Sequence, residues 1–220
     1  MTAATDADAA ATAMTTRHLY VVRHAEASDD ESALSARGVR QAELLAERLR
    51  PVPFTAVHHG PLPRAAQTAR LIHDRLGGVP LHACEPAGDY LPYIPPRAEL
   101  PPETADATLA RLAQFPVAER ELGPGLADQA LARFTGPAEG EADAAPRHEL
   151  VVTHNFLAAW LVRDALQAPR ARWIGLDLGN AALTVIRYAP GRPASLLVLN
   201  DMSHLPQELR WTGFPAELHV

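Results

Sequence analysis

The sequence contains no lysine; all 20 basic residues among its 220 are arginine. That absence excludes Schiff-base lysine chemistry, the phosphate-binding lysine of P-loops and the strand lysine of protein kinases. Cysteine is almost missing as well. Cys84 stands alone, so neither an intramolecular disulfide nor a cysteine-rich zinc site can form, and a reducing, cytoplasmic setting fits. There is no basic run, and the net charge is −6 with a pI near 5.9; nucleic acid and anionic membrane surfaces are therefore not expected partners. No stretch approaches the ~18 apolar residues that cross a bilayer. The first 16 residues, MTAATDADAAATAMTT, lack the basic start and apolar centre of a secretion signal and read as a disordered leader. The remaining 17–220 suffice for one domain.

What is present alternates between strand and helix signals. HLYVV (18–22) reads as a buried strand. Ser35 looks like the cap of a helix over about 36–50, with Val39, Ala42, Leu45 and Leu49 on its inner face and Pro51 and Pro53 ending it. FTAVHH (54–59) is a second strand. PLPRAAQTARLIHDRL (61–76) is a helix with Ala65, Ala69, Ile72 and Leu76 inward, stopped by Gly77-Gly78. VPLHACE (79–85) can form a third strand, and the proline-rich GDYLPYIPPRAELPPE after it reads as a stiff surface loop. Helices are expected over 104–115 and about 125–135, and a low-complexity loop over 136–147. ELVVT (149–153) leads into a helix over 155–166, and ALTVIRY (182–188) with SLLVLN (195–200) reads as an edge hairpin. The pattern is that of a three-layer α/β sandwich with a mostly parallel central sheet.

In open α/β sheets, ligand-binding groups gather where strands end and helices begin. His24 follows LYVVR and His154 follows LVVT; Arg23 adjoins the first, and Arg64 sits in the first turn of a helix after a strand. An arginine is a poor choice there for the helix dipole, which favours a functional reading. Two arginines and two histidines beside helix N-termini make a cup for a phosphoryl group. Guanidinium forks match its oxygens in pairs, and a neutral imidazole is a nitrogen nucleophile near pH 7. Phosphoryl transfer needs mainly placement and neutralised oxygens, which such a cup provides without metal or other cofactor.

Five segments in order resemble the histidine phosphatase (phosphoglycerate mutase-like) superfamily, in its branch 1 phosphatase form. They are LYVVRHAEA, ALSARGVRQAELLAERL, HGPLPRAAQTA, ELVVTHNFLAAWLV, and GNAALTVIRYAPGRPASLLVLNDMSHL. The resemblance implies the superfamily's phosphoglycerate mutase-like fold. It also implies that His24 takes the phosphoryl group as phosphohistidine, that Arg23, Arg64 and His154 clamp its oxygens, and that a carboxylic acid protonates the leaving alcohol and then activates water. GDYLPYIPP is similar to a loop of the branch containing a mitochondrial serine/threonine phosphatase, which puts Asp89 in the acid's place with Glu85 as the reserve. Ala25 and Gly60 stand where the family commonly has glycine and serine, and Asn155 where glycine is common; Asn155 can cap the helix and touch substrate.

Glu26 reads as a rim contact or an arginine's ion-pair partner. His58, His59, His73 and His82 read as surface residues, since no carboxylate or cysteine lies at ligand spacing. Trp160 and Trp173 read as core or subunit contacts, and Asp201 and His204 as residues that order the tail. The expected activity is hydrolysis of a phosphate monoester, either a small metabolite or a phosphoprotein, with Tyr90, Leu91, Tyr93 and Ile94 framing the substrate. The alternatives are a phosphoglycerate-type mutase and a catalytically silent phospholigand-binding module. A homodimer through the sheet edge or a helix is compatible with the sequence.

Overall fold

A computed structural model describes residues 13–140, 144–214 and 216–219. In chain order its elements are β1 (Met14–Thr15), β2 (Arg17–Arg23), α1 (Ala36–Leu49), β3 (Phe54–His59), α2 (Pro63–His73), β4 (Leu81–Ala83), α3 (Ala105–Leu112), α4 (Val117–Phe134), β5 (Ala138–Glu139), β6 (Arg147–Thr153), α5 (Asn155–Ala165), β7 (Leu183–Tyr188) and β8 (Ser195–Asp201). The six-stranded sheet runs β4-β3-β6-β2-β7-β8. The first four of these strands are parallel, β7 joins β2 antiparallel, and β8 joins β7 antiparallel.

Alternation along the central strands creates the layers. Leu19 and Val21 of β2 and Val151 of β6 face one cluster, which holds Phe134 of α4 and Trp160 of α5. Val22 of β2 and Leu150 and Val152 of β6 face the other, with Ala42 and Leu45 of α1 and Ala69 and Ile72 of α2. Helices thus cover both faces of strands that are apolar on both. From β2 the chain passes over β6 to reach β3, and from β6 it passes over β2 to reach β7. The two connections diverge, and a crevice opens at the carboxyl ends of the two central strands.

Several local expectations are corrected. Residues 1–12 of the leader lie outside the described residues, but Met14–Thr15 is not disordered: it pairs with Ala138–Glu139, and Thr15 is buried. Its partner β5 interrupts the loop expected over 136–147. Val39 faces solvent at 37 % exposure, and buried Gln41 takes its place inside, because the amide is fully employed: it accepts from the Glu26 N–H and donates to the Leu209 carbonyl and Thr212 hydroxyl. Leu76 lies beyond the end of α2 and is only half-buried. The proline-rich stretch is not wholly a surface loop. Tyr90 and Leu91 are core residues, and prolines keep the chain extended while those two side chains anchor it. α4 begins at Val117, eight residues before the expected start, and runs through Pro124. Gly123 packs so closely that an added Cβ would lie 2.2 Å from the Leu91 carbonyl oxygen, a contact that holds the early turns despite the proline. Among the described residues no helix is long and apolar enough to cross a membrane.

Candidate active site

The turn after β2 is fixed from three directions. The His24 N–H extends the ladder to the Thr153 carbonyl at 2.8 Å, the Asn180 amide donates to the His24 carbonyl at 2.9 Å, and the Ala25 N–H donates to Thr68 Oγ1 at 3.0 Å. Thr68 in turn donates to the Arg64 carbonyl, so the turn and α2 are locked together. The His24 ring is buried. Its Nδ1 lies 2.8 Å from the Ala25 carbonyl, and its Nε2 lies 3.2 Å from Arg64 Nε. A carbonyl can only accept and a guanidinium can only donate, so Nδ1 carries the hydrogen and Nε2 the lone pair.

Arg64 is buried at the first turn of α2, where Pro63 occupies the helix start without leaving a stranded N–H. It donates through Nη2 to Asp89 Oδ2 at 2.8 Å and faces Glu31 through Nη1 at 3.1 Å. Arg23 at the end of β2 is held by the Leu178 and Gly213 carbonyls at 2.7 and 3.1 Å. His154 precedes α5 with its ring centroid 5.0 Å from that of His24. It is 1 % exposed, and neither ring nitrogen has a hydrogen-bond partner among the described residues. Asp89 Oδ2 lies 3.4 Å from its Nδ1. Arg23, His24, Arg64, Asp89 and His154 together line one cavity of about 310 Å³.

Burial dominates the electrostatics. It pushes the His24 ring well below its ordinary pKa, and His154, Arg23 and Arg64 push the same way against the Ala25 carbonyl. His154 is driven down to about 3 by burial and the two guanidiniums. Both imidazoles are therefore neutral bases in the folded protein. Burial raises the Asp89 carboxyl above its usual range despite Arg64 and Arg23, which favours its protonated form more than at an exposed aspartate. The cup thus holds two permanent positive charges, a lone pair aimed inward and a carboxyl able to lend a proton.

Of the other expected residues, Asn155 also lines the cup, whereas Glu85 and Glu26 do not. Glu85 begins a short turn and lines an adjoining groove rather than the cup. Glu26 accepts the Ser35 hydroxyl at 2.6 Å and faces Arg37 at 3.7 Å, on the flank of the site. Asn155 does not cap α5, whose cap is His154. Its amide donates to Asp177 and accepts the Leu178 N–H, so it is engaged in holding the loop whose carbonyl grips Arg23. Gly60 is required by space, since a Cβ there would lie 2.4 Å from the Ala87 carbonyl oxygen. The hydrophobic frame is only partly the expected one: Tyr90 lines the adjoining groove, Leu91 is in the core, and Phe115 and Phe156 line the cup.

Glu31, Phe115, Glu119 and Gly213 also line the cavity, and sequence reasoning missed them. Glu31 lies in the loop that follows His24, and the other three come from loops or a helix start far along the chain; none has a local pattern to mark it. Asn180, just before a buried strand, had a legible signal as a short polar residue in a Gly-Asn turn. His204 bonds the Ala181 carbonyl and Asp201 pairs with Arg48, so both order the tail. Trp160 and Trp173 are core residues. Among the described residues no group of three or more His, Cys, Asp or Glu could hold a metal ion.

Comparison with known proteins points the same way. The family model for the histidine phosphatase superfamily (branch 1) matches residues 19–201. The chain is 27 % identical over 198 residues to the mitochondrial serine/threonine-protein phosphatase Pgam5 of Caenorhabditis elegans, covering 88 % of this chain and 66 % of that protein. It is 27 % identical over 203 residues to the mitochondrial serine/threonine-protein phosphatase PGAM5 of Homo sapiens, covering 89 % and 66 %. The chain therefore spans just under two thirds of the length of these curated relatives. Among solved structures, a protein described as mycobacterial hydrolase 1 superposes with a TM-score of 0.62 at 24 % identity, over 84 % of this chain and 99 % of that one. That likeness is one of fold.

Proposed function

The chain belongs to the histidine phosphatase superfamily (branch 1), and on that premise we propose that it hydrolyses phosphate monoesters through a phosphohistidine on His24 Nε2. The observation that carries the reading is the paired state of the two imidazoles: one has its lone pair fixed inward, and the other is buried beside it with both nitrogens unpartnered. Arg23, Arg64 and His154 surround the phosphoryl oxygens, and Arg64 shifts its Nε–H from His24 onto one of them as the ester enters. The Nε2 lone pair forms the P–N bond while the P–O bond to the alcohol breaks, and the departing oxygen takes the proton of the Asp89 carboxylic acid. The resulting Asp89 carboxylate then removes a proton from water, whose oxygen attacks phosphorus. The P–N bond breaks, returning its electron pair to Nε2.

Asp89 is preferred over Glu85 because it lines the cup and touches both Arg64 and His154. A mutase would need cations for a second acidic group, and beyond Arg23 and Arg64 the cup offers none among the described residues. A cytoplasmic site of action belongs to the same proposal, supported by a single, buried, unpaired cysteine. The direct test is to quench turnover of a radiolabelled ester. An acid-labile, base-stable phosphate on the wild-type chain that is missing in His24→Ala is the expected result; turnover without such an adduct would overturn the mechanism.

A further inference from the structure

Outside the cup the wall changes sign. A groove of about 500 Å³ opens from it, and the two share Glu31, Arg64, Asp89, Phe115 and Glu119. The groove adds Glu85 and the apolar Leu62 and Leu126. Among the described residues Arg64 is the only cation on this wall, and it is already engaged by His24, Asp89 and Glu31. Glu85 and Glu119 have no cationic partner among the described residues. Burial and the nearby Asp89 raise the Glu119 carboxyl, which places two carboxylates within electrostatic reach at the junction. Phe115 packs edge-on against Phe156 at 5.4 Å, giving an aromatic wall beside the carboxylates.

A second observation fixes the direction of a ligand through this junction. The unpartnered, buried His154 ring sets the phosphoryl position at the cup's floor, and Asp89, which borders both cavities, marks the side on which the ester oxygen departs. The alcohol then lies in the groove. Once the two arginines have neutralised the phosphate, a positive charge on that alcohol meets carboxylates and an aromatic face, both of which attract it, and a negative charge meets repulsion.

We propose that the groove selects phosphate monoesters whose alcohol carries a positive charge, either a small ammonium alcohol or a phosphorylated serine or threonine flanked by a basic side chain. This rests on the hydrolase reading above. The test measures kcat/KM for choline phosphate against its neutral isostere 3,3-dimethylbutyl phosphate, and for phosphoserine peptides with arginine against citrulline beside the phosphorylated residue. 4-Nitrophenyl phosphate serves as the reference ester. In at least one pair the cationic member is favoured by about tenfold at low ionic strength, and the preference shrinks severalfold near 0.5 M salt. The responding pair tells small alcohol from peptide. In the Glu85→Gln/Glu119→Gln double variant the same ratio falls toward one. Equal rates within both pairs, or a ratio intact in high salt and in the double variant, would overturn this inference and leave the hydrolase reading standing. Failure to hydrolyse even 4-nitrophenyl phosphate would overturn both.

Discussion

Strands β2 and β6 lie side by side and carry the same spacing of histidines, HLYVVRH over 18–24 and HELVVTH over 148–154. Each pair of neighbouring ends therefore presents two imidazoles. At the amino ends His18 and His148 stack nearly parallel, with centroids 4.7 Å apart and planes at 13°. They are half-buried, and the nearby Tyr20 hydroxyl lies 3.3 Å from His148 Nδ1. At the carboxyl ends His24 and His154 are tilted by 57°, buried, and flanked by Arg23 and by Arg64 from the start of α2. The residue type is the same at both ends. What differs is the polarity of the parallel strands: their carboxyl ends meet helix N-termini, and their amino ends do not.

The largest expected effect breaks this contrast outright if it fails. His24→Ala should lower kcat by at least about 10⁴-fold, as loss of a nucleophile does, while His18→Ala changes kcat/KM by less than about twofold, a surface-scale effect. Comparable losses from both in a steady-state assay would mean that the two ends do not differ in function. Next in size is Asp89→Asn, expected to slow an alkyl phosphate by about 10²–10⁴-fold and 4-nitrophenyl phosphate far less, because nitrophenolate leaves without a proton. Glu85→Gln should leave that alkyl-to-aryl difference unchanged.

A pH series sharpens the comparison through stability. His154 titrates near 3 when folded and near 6.5 when unfolded. The unfolded chain therefore binds the extra proton first as pH falls. The stabilisation is fully present above pH 6.5 and is lost on acidification toward pH 3, at roughly 1.4 kcal/mol per pH unit for this one group. Denaturant titrations should show a shallower acid slope for His154→Gln than for the wild type, and a smaller change of slope for His18→Gln. The smallest effect concerns backbone support. Gly213 has φ of +80° and its Cβ would lie 2.4 Å from Asn180 Oδ1 and 2.7 Å from the Arg23 guanidinium, whereas Gly175 at +86° has open space. Gly175→Ala should cost about 1 kcal/mol of backbone strain. Gly213→Ala should cost about 1–2 kcal/mol more and raise KM as Arg23 shifts; equal Tm losses and an unchanged KM would show that Gly213 does not position that arginine.

The elements that carry the cup were legible because each announces itself locally. β2 and β6 are short apolar runs, Ser35 accepts the Gly38 N–H as a helix cap should, and Gly77 and Gly78, both at positive φ, lie just past α2. His24, Arg23, Arg64 and His154 could be singled out because they sit at strand ends and helix starts. Asp89 was separable from Glu85 only through the resemblance, since both follow β4 within a few residues. α4 starts earlier than expected because it continues through Pro124, and that continuation depends on Gly123 packing against Leu91, 32 residues earlier.

The sequence by itself determined which side chains are candidates to bind and attack a phosphoryl group, and on which strands and helices they ride. Periodicity, capping residues and turn residues act within a few positions of the chain, so they can be read there. Only the tertiary structure decided that His24 presents Nε2, that Asp89 rather than Glu85 reaches the cup, and that Glu31, Phe115 and Glu119 form its rim. Apart from the Ala25 carbonyl beside His24, those outcomes depend on hydrogen bonds and burial between segments dozens to more than a hundred residues apart, and no local pattern records such contacts.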